Sequence, residues 1–599
     1  MSMRSLTKAA LGLSLALLGA CSTAPALGPP AAPERASGWS PKPGWTFHRQ
    51  AVAAAHPLAA EAGLQVLREG GHAVDAAVAV QMVLALVEPQ SSGIGGGAFL
   101  LLWNGRTVQA WDGRETAPAA ADERLFLQPD GRPMPMAEAI TGGRAVGVPG
   151  AVRMLEAVHR EQGRLPWARL LAPAIRLAEE GFAISPRLHL QIASEPALRR
   201  DPQAAAYFLQ PDGRPWPVGH RLRNPALAAV LRRLAAEGSA ALHEGTVAAD
   251  IVARVQGHPG NPGRLSLADL AAYRPLRREA LCTDWREAWR VCGMPPPSSG
   301  HLAVMQILML MDAQGASSAV LRRGVPDADW LHAFTEASRL AFADRNRYVA
   351  DPAFAPAPGG DWARLLDRGY LRDRAALIGP RSLGTAPAGL PPGASLAWAD
   401  MPAQPEDGTS HVSIVDAEGN AVALTTTIEA QFGARLMSDG GTGLPGGFLL
   451  NNQLTDFSML PADAQGRPIA NRVQPGKRPR SSMSPTLVFD RRDGTLAMSL
   501  GSPGGAAIIH FVAKTLLGTL DAGLTPQQAI DGPHAGSFNG PVTVLEAGRF
   551  DAATRQALQQ RGHVVQEAAM PSGLQAMRRQ GGRWQGGADP RREGVVAGD

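Results

Sequence analysis

Gly408-Thr409-Ser410-His411-Val412-Ser413-Ile414-Val415-Asp416, then Ala417-Glu418-Gly419 and the return run Asn420 to Thr427, is the stretch whose reading decides the fold. Two runs rich in β-branched residues, separated by three residues with Gly last, read as a hairpin, because Gly supplies the left-handed conformation that such a loop requires. The loop sets the register: Asp416 faces Asn420, Thr409 faces Thr427, and Glu429 points to the same side as Thr427. Upstream, Leu383 to Gly408 is rich in Pro, Gly and Ala, lacks periodicity and reads as a flexible linker. A threonine therefore stands where a linker enters a sheet, with a second hydroxyl and a carboxyl opposite. Thr425-Thr426-Thr427 is also readable as plain β-branched strand filler. Within a chain Thr409 is a poor nucleophile. After cleavage of the Gly408–Thr409 bond its own α-amine, with an ordinary pKa of about 7.7–8.0, can act as its base.

Working outward, Ala59 to Arg68 reads as a helix stopped by Gly70-Gly71, and Ala73 to Val87 as a second, ended by Pro89. Phe99 to Trp103 and Arg106 to Trp111, joined by Asn104-Gly105, read as a hairpin. Ala151 to Gly181 suggests two amphipathic helices and Asp327 to Val349 another. After the first hairpin, Phe448 to Asn451, Thr486 to Asp490 and Leu496 to Leu500 add strands, and a helix from about Ala506 to Leu517 follows Gly504-Gly505. Helices flanking extended hairpins predict a layered, mostly antiparallel α/β sandwich.

The 599 residues carry 58 Lys+Arg against 53 Asp+Glu, a net charge of only +5, which argues against a nucleic-acid partner. Three cysteines exclude a disulfide scaffold and a multi-thiolate zinc site. No metalloprotease, P-loop, Cys-x-x-Cys or nucleophile-elbow motif occurs, and Gly441 to Gly446 matches the dinucleotide fingerprint only with Pro445 where the helix should run. Neither a metal nor another cofactor is implied. At the N-terminus, Arg4 and Lys8 precede an apolar run, Ala9 to Ala20, too short to span a bilayer. Leu18-Gly19-Ala20-Cys21-Ser22 resembles the lipobox of bacterial lipoproteins, in which Cys21 is lipidated, although an ordinary signal with a coincidental cysteine fits the same residues. Residues 1–20 then form the signal peptide, 21–46 a tether, and Ser22 suggests sorting to the outer membrane, on its periplasmic side. Cys282 and Cys292 flank two short strands and read either as a disulfide or as two unpaired cysteines.

The motif around Thr409 resembles the processing site of the γ-glutamyltransferases, members of the N-terminal nucleophile hydrolases. The resemblance runs in family order from about residue 47 to the C-terminus. It includes Glu88-Pro89-Gln90-Ser91-Ser92-Gly93-Ile94-Gly95-Gly96-Gly97, Gly113-Arg114-Glu115-Thr116-Ala117-Pro118 and Met294-Pro295-Pro296-Pro297-Ser298-Ser299-Gly300. It continues through Leu450-Asn451-Asn452-Gln453 with Asp456-Phe457-Ser458, Lys477 to Thr486, and Gly501-Ser502-Pro503-Gly504-Gly505. It implies a four-layer αββα sandwich built jointly by a large subunit, 47–408, and a small subunit, 409–599, that form a heterodimer from one precursor.

The same resemblance implies the chemistry. Thr409 cleaves the precursor after Gly408 and then attacks the amide of a γ-glutamyl donor such as glutathione. The acyl group passes to water or to an amino acid or peptide. Thr427 assists the nucleophile, and the N–H groups of Gly504 and Gly505 hold the oxyanion, a role that a glycine pair between strand and helix suits on physical grounds. Arg114, with Ser481 and Ser482, would bind the donor's α-carboxylate; Gln453, Asp456 and Glu429 would hold its α-ammonium. Glu429 departs from the Asn present at this position in many relatives. Residues 458–476 correspond to a loop that forms a lid in some members and is shortened in others, and their sequence fits a covered and an open pocket alike. A cephalosporin or glutaryl acylase, or a polyglutamate-processing enzyme, shares fold and nucleophile; an inactive envelope binding protein is the reading from another class.

Overall fold

The computed structural model describes residues 37–406 and 408–599. The expected signal peptide, Cys21 and the expected tether as far as residue 36 lie outside the described residues. From the rest of that stretch, Ser37 and Ser40 donate backbone hydrogen bonds to Arg591 and Pro590, and Trp45–Phe47 is already a strand.

The decisive hairpin folds in the expected register, with Ser410–Val415 and Ala421–Thr427 pairing Ser410 with Thr426 through Val415 with Ala421. It lies at the centre of a seven-stranded antiparallel sheet in the order Val595–Gly598, Ala51–Ala54, Ser410–Val415, Ala421–Thr427, Gly97–Trp103, Val108–Gly113, Leu276–Glu279. A second seven-stranded antiparallel sheet runs Trp45–Phe47, Arg583–Ala588, Gln575–Gln580, Leu496–Gly501, Thr486–Asp490, Trp289–Gly293, Leu281–Trp285. Each sheet takes strands from both sides of residue 408.

Alternation along the central strands separates two cores. Val412, Ile414, Val422 and Leu424 pack with the helices Pro57–Arg68 and Ala73–Val87. Val415, Ala421 and Ala423 belong to the other core, with Leu487, Met498 and Leu500 of the second sheet and the helices Gly300–Ala313, Ala328–Tyr348 and Ile508–Leu516. A strand buried on both faces needs apolar residues on both, which is why these strands read as near-continuous apolar runs. The result is helices, sheet, sheet, helices, an α+β sandwich. Ser499 Oγ bridges the two sheets by donating to Ser413 Oγ at 2.9 Å, and within the first sheet His411 contacts Thr425 Oγ1 at 2.8 Å and Ser413 Oγ at 3.1 Å. No described helix is long and apolar enough to cross a membrane.

The helix Ala73–Val87 forms with the bounds read from sequence, entirely buried, its first turn closed by a capping box. There His72 accepts from Val74 N–H at 3.1 Å, and Asp75 accepts from His72 N–H at 2.8 Å. Two expectations are corrected. The turn between Gly97–Trp103 and Val108–Gly113 is four residues long, Asn104 to Thr107, because Asn104 Oδ1 accepts the N–H groups of Arg106 at 3.1 Å and Thr107 at 2.9 Å. The segment 383–408, read as flexible, has no regular structure but is anchored at many points. Glu336 accepts from Leu383 N–H at 2.8 Å, Asp400 pairs with Arg347 at 2.6 Å, and Gln404 Nε2 donates to the carbonyls of Thr455 at 2.6 Å and Phe457 at 2.8 Å. Cys282 and Cys292, directly opposite on adjacent strands, form a disulfide.

Candidate active site

The uncleaved Gly408–Thr409 bond lies where the central hairpin leaves the sheet. Extending the ladder one step beyond Ser410 and Thr426 brings Thr427 across from Thr409. Both hydroxyls point at the Gly408 carbonyl: Thr409 Oγ1 donates to it at 2.5 Å and Thr427 Oγ1 at 2.7 Å. Glu429 N–H in turn donates to Thr427 Oγ1 at 2.8 Å, orienting that hydroxyl. In this state Thr427 thus engages the carbonyl before Thr409. Glu429 adopts φ +74° and turns its side chain to Asn452 Nδ2, 2.5 Å away. Two hydroxyl donors on one peptide carbonyl draw electron density from its carbon, the change that nucleophilic attack there requires.

Close packing holds this corner in place. A Cβ on Gly96 would lie 2.1 Å from the Thr427 carbonyl oxygen, so only glycine lets the Gly95-Gly96-Gly97 turn approach the strand that carries Thr427. Arg592, close to the C-terminus and buried, reaches the Thr409 carbonyl at 3.5 Å.

Thr409 borders a small cleft of about 20 Å³. Arg114, Gln453 and Asp456 form its most polar wall. Arg114, buried, donates through Nη2 to Asp456 Oδ2 and to the Arg480 carbonyl at 2.8 Å, and through Nε to the Pro479 carbonyl at 3.2 Å. Gln453 Nε2 donates to the same Asp456 oxygen at 2.7 Å, which fixes the orientation of its amide. Asp456 Oδ1 and Gln453 Oε1 accept no hydrogen bond from the described residues. Burial pushes the Asp456 carboxyl up to about 6, opposed by Arg114 and reinforced by Glu406. Beneath Arg114, Glu115 is fully buried without a side-chain hydrogen bond among the described residues, and burial pushes its carboxyl up to about 8 against the pull of Arg114.

Ser481 and Ser482 line the cleft as well. Ser481 Oγ accepts Met483 N–H at 3.1 Å, whereas Ser482 Oγ donates to Glu406 Oε2 at 2.5 Å and accepts from Arg345 Nη2 at 2.6 Å. Gly505 borders the cleft and Gly504 precedes it, at φ +53° and +129°. A Cβ on Gly504 would lie 2.6 Å from the Phe511 ring. Neither glycine N–H donates a hydrogen bond to the described residues, and both stand at the entry to the Ile508–Leu516 helix, where free N–H groups and the helix dipole favour negative charge.

The residues singled out from the sequence thus converge on one cleft, although they come from positions 114 to 505. Glu406, which lines it, and Arg345 and Arg480, which flank Glu406, were not singled out. Glu406 sits inside the region read as linker, Arg345 on the Ala328–Tyr348 helix, and Arg480 between Arg114 and Glu406. Arg480 was quoted within a motif, but nothing local marks the other two.

Elsewhere, His332, Glu336 and His563 are the group of described residues whose ligand atoms lie close enough to surround an ion. His332 Nε2 bonds the Gly379 carbonyl at 2.8 Å and must carry the proton there. Its Nδ1 then accepts from His563 Nε2 at 2.8 Å, and His563 Nδ1 accepts from the Thr543 hydroxyl at 2.8 Å. All four ring nitrogens are satisfied by one tautomer each, so the cluster reads as a clasp between the two segments rather than as a vacant ion site.

The family model described as gamma-glutamyltranspeptidase matches residues 59–599. A glutathione hydrolase proenzyme of Bacillus subtilis is 35% identical over 494 residues, covering 81% of this chain and 80% of that protein. The acylase ACY 1 proenzyme of a Pseudomonas species (strain V22) is 36% identical over 545 residues, covering 89% of this chain and 90% of that one. Among solved structures, the cephalosporin acylase from Bacillus halodurans superposes with a TM-score of 0.79 at 28% identity, covering 94% of this chain and 97% of its own.

Proposed function

The chain belongs to the gamma-glutamyltranspeptidase family, and from that premise we propose that it is a self-processing γ-glutamyl hydrolase and transferase with Thr409 as nucleophile. The observation that carries this reading is the pair of acceptor oxygens, Asp456 Oδ1 and Gln453 Oε1, which have no donor among the described residues and belong to side chains lining the same cleft as Thr409, Arg114 and Ser481. A γ-glutamyl group brings both an ammonium, which donates to such oxygens, and a carboxylate, which guanidinium and hydroxyl groups receive. A glutaryl substrate lacks the ammonium and would leave both oxygens unsatisfied at the cost of a buried polar group without a partner.

The chemistry begins with the precursor. Thr409 Oγ1 adds to the Gly408 carbonyl carbon, the Gly408–Thr409 C–N bond breaks, and the acyl group moves from nitrogen to oxygen. Water then hydrolyses the ester, leaving a Gly408 carboxylate and a free Thr409 amine. In the two-chain enzyme that amine takes the proton as Oγ1 attacks the γ-amide carbonyl. The N–H groups of Gly504 and Gly505 receive the oxyanion, and the proton passes to the departing amine. The γ-glutamyl ester is released by water or by the amine of an amino acid or peptide. Before the globular part, Cys21 would carry a lipid that anchors the enzyme to the outer membrane on its periplasmic side.

Thr409→Ala should give one full-length chain without hydrolysis of glutathione or a γ-glutamyl anilide. Wild type should give two chains, the smaller beginning Thr-Ser-His. Two chains from Thr409→Ala, or faster turnover of a glutaryl amide than of its γ-glutamyl counterpart, refutes the assignment. Radiolabelled palmitate should mark wild type and not Cys21→Ala; equal labelling removes the anchor.

A further inference from the structure

Glu406 precedes the scissile bond by two residues, and its carboxylate occupies the same cleft as Thr409, Arg114 and Asp456. Oε1 receives Arg345 Nη2 at 2.5 Å and lies 3.7 Å from Arg480 Nη2; Oε2 receives the Ser482 hydroxyl at 2.5 Å. Burial raises the pKa of such a group, yet the two guanidiniums and the hydroxyl outweigh it and hold Glu406 below the ordinary carboxylate range. The seat is braced from behind. Arg345 Nε donates to Ser299 Oγ at 2.8 Å, and Ser299 in turn donates to the Ser481 carbonyl from both its N–H, at 2.7 Å, and its hydroxyl, at 2.8 Å.

Building on the proposed function, we propose that Glu406 is a positioning residue for self-cleavage: its carboxylate stands in the anion seat of Arg345, Ser482 and Arg480 as an internal substitute for a substrate carboxylate, holds the Gly408 carbonyl against Thr409 and Thr427, and blocks the cleft until the chain is cut. Three fixed points support this. Gln404 is tied to the Thr455 and Phe457 carbonyls, Glu406 to the anion seat, and the Gly408 carbonyl to two hydroxyls. Few conformations of five residues satisfy all three at once, so the scissile carbonyl is delivered rather than found by search. Once the bond is cut, the far end of the tie is gone, and departure of Glu406 releases Arg345 Nη2 and Ser482 Oγ. The seat so vacated gains one net positive charge and fits a carboxylate, which makes Arg345 a carboxylate-binding residue beside Arg114.

The test follows the disappearance of the full-length band on denaturing gels for freshly purified wild type, Glu406→Ala, Glu406→Gln and Glu406→Asp. Loss of charge-assisted hydrogen bonds should slow Glu406→Ala and Glu406→Gln by at least about tenfold. Glu406→Asp should stay within about threefold of wild type, and added formate, a carboxylate small enough for the space left by alanine, should accelerate Glu406→Ala. The same substitutions in the Thr409→Ala background, where no cleavage intervenes, should melt within a few degrees of their parent. Wild-type rates for Glu406→Ala and Glu406→Gln overturn the proposal. So does slow processing that neither aspartate nor formate improves, which would make Glu406 a structural residue only. A wild-type chain that never cleaves at Gly408–Thr409 refutes the parent reading itself; cleavage of wild type and Glu406→Ala at equal rates refutes the role of Glu406 alone.

Discussion

Replacing Asp456 by Asn isolates the charge on which the proposed donor recognition depends. One oxygen of Asp456 is shared by Arg114 and Gln453, the other has no donor, and burial pushes the carboxyl up to about 6 while Arg114 opposes. If the donor's ammonium rests on this carboxylate, kcat/KM follows the ionised fraction of Asp456 in the free enzyme. A carboxyl with a raised pKa is neutral below that value, so activity is lost on the acid side, about tenfold per pH unit once well below it. Glu406 is among the groups that push Asp456 up. Its withdrawal after cleavage places the acid limb of the two-chain enzyme at or somewhat below about pH 6. Asparagine keeps the shape and removes the charge. Since a hydrogen bond to a charged group contributes about 1.5–3 kcal/mol, kcat/KM at alkaline pH should fall roughly 10- to 150-fold. The limb assigned to Asp456 should vanish with it. Initial rates on a γ-glutamyl anilide, measured at constant ionic strength across the limb and normalised to two-chain protein, decide the matter. An unchanged acid limb in Asp456→Asn, or kcat/KM within about twofold of wild type, refutes the assignment of Asp456 to the ammonium.

Gly504→Ala places a Cβ 2.6 Å from the Phe511 ring at φ +129° and must displace the amides beside it. Misplacing one oxyanion donor should lower kcat by about 10²–10³ with little change in KM, and a steady-state comparison on processed protein tests it. The disulfide Cys282–Cys292 closes a ten-residue separation. Chain-entropy arguments give it about 2–3 kcal/mol, so urea unfolding of Cys282→Ser/Cys292→Ser should show that loss, and a difference below about 0.5 kcal/mol contradicts it.

Elements specified by their own neighbours were legible in the sequence. The central hairpin was, because three loop residues ending in Gly419 fix both turn and register. The helix Ala73–Val87 was, because its apolar run is bounded by Gly70-Gly71 and Pro89. What failed depended on longer contacts. The expected strand from Phe448 to Asn451 ends at Leu449, and Asn451 then turns inward, its side chain bonded to Gly95 and Gly147 from distant segments. The linker's composition correctly indicated no helix or strand, but composition says nothing of anchoring by side chains such as Glu336, Arg347 and Arg345 that arrive from one distant helix. The site itself was legible through its motifs, and Glu406 and Arg345 were not: a lone acid in a linker and an arginine on a helix gain meaning only when folding brings them together. His332 and His563, 231 residues apart in the chain, meet for the same reason.

If the chain is cut at Gly408–Thr409 as proposed, the position of that bond explains why cleavage completes the enzyme instead of damaging it. The first residue paired in the hairpin ladder is Ser410, so breaking Gly408–Thr409 removes no strand pairing from the central sheet. Both sheets interleave strands from before and after residue 408, and both cores are shared, so the two products remain held by the burial that folded the precursor. The new amine therefore appears on a threonine whose strand and neighbours need not move. What must move is the segment ending at Gly408, and its attachment to the cleft is the carboxylate of Glu406 together with the Gly408 carbonyl. Cleavage converts that carbonyl into a carboxylate facing two hydroxyl donors and the carboxyls of Glu429 and Asp456 in the same cleft. Breaking the bond also removes the covalent tie that held Gly408 against Thr409, so the reaction that creates the nucleophile also frees the segment that covered it.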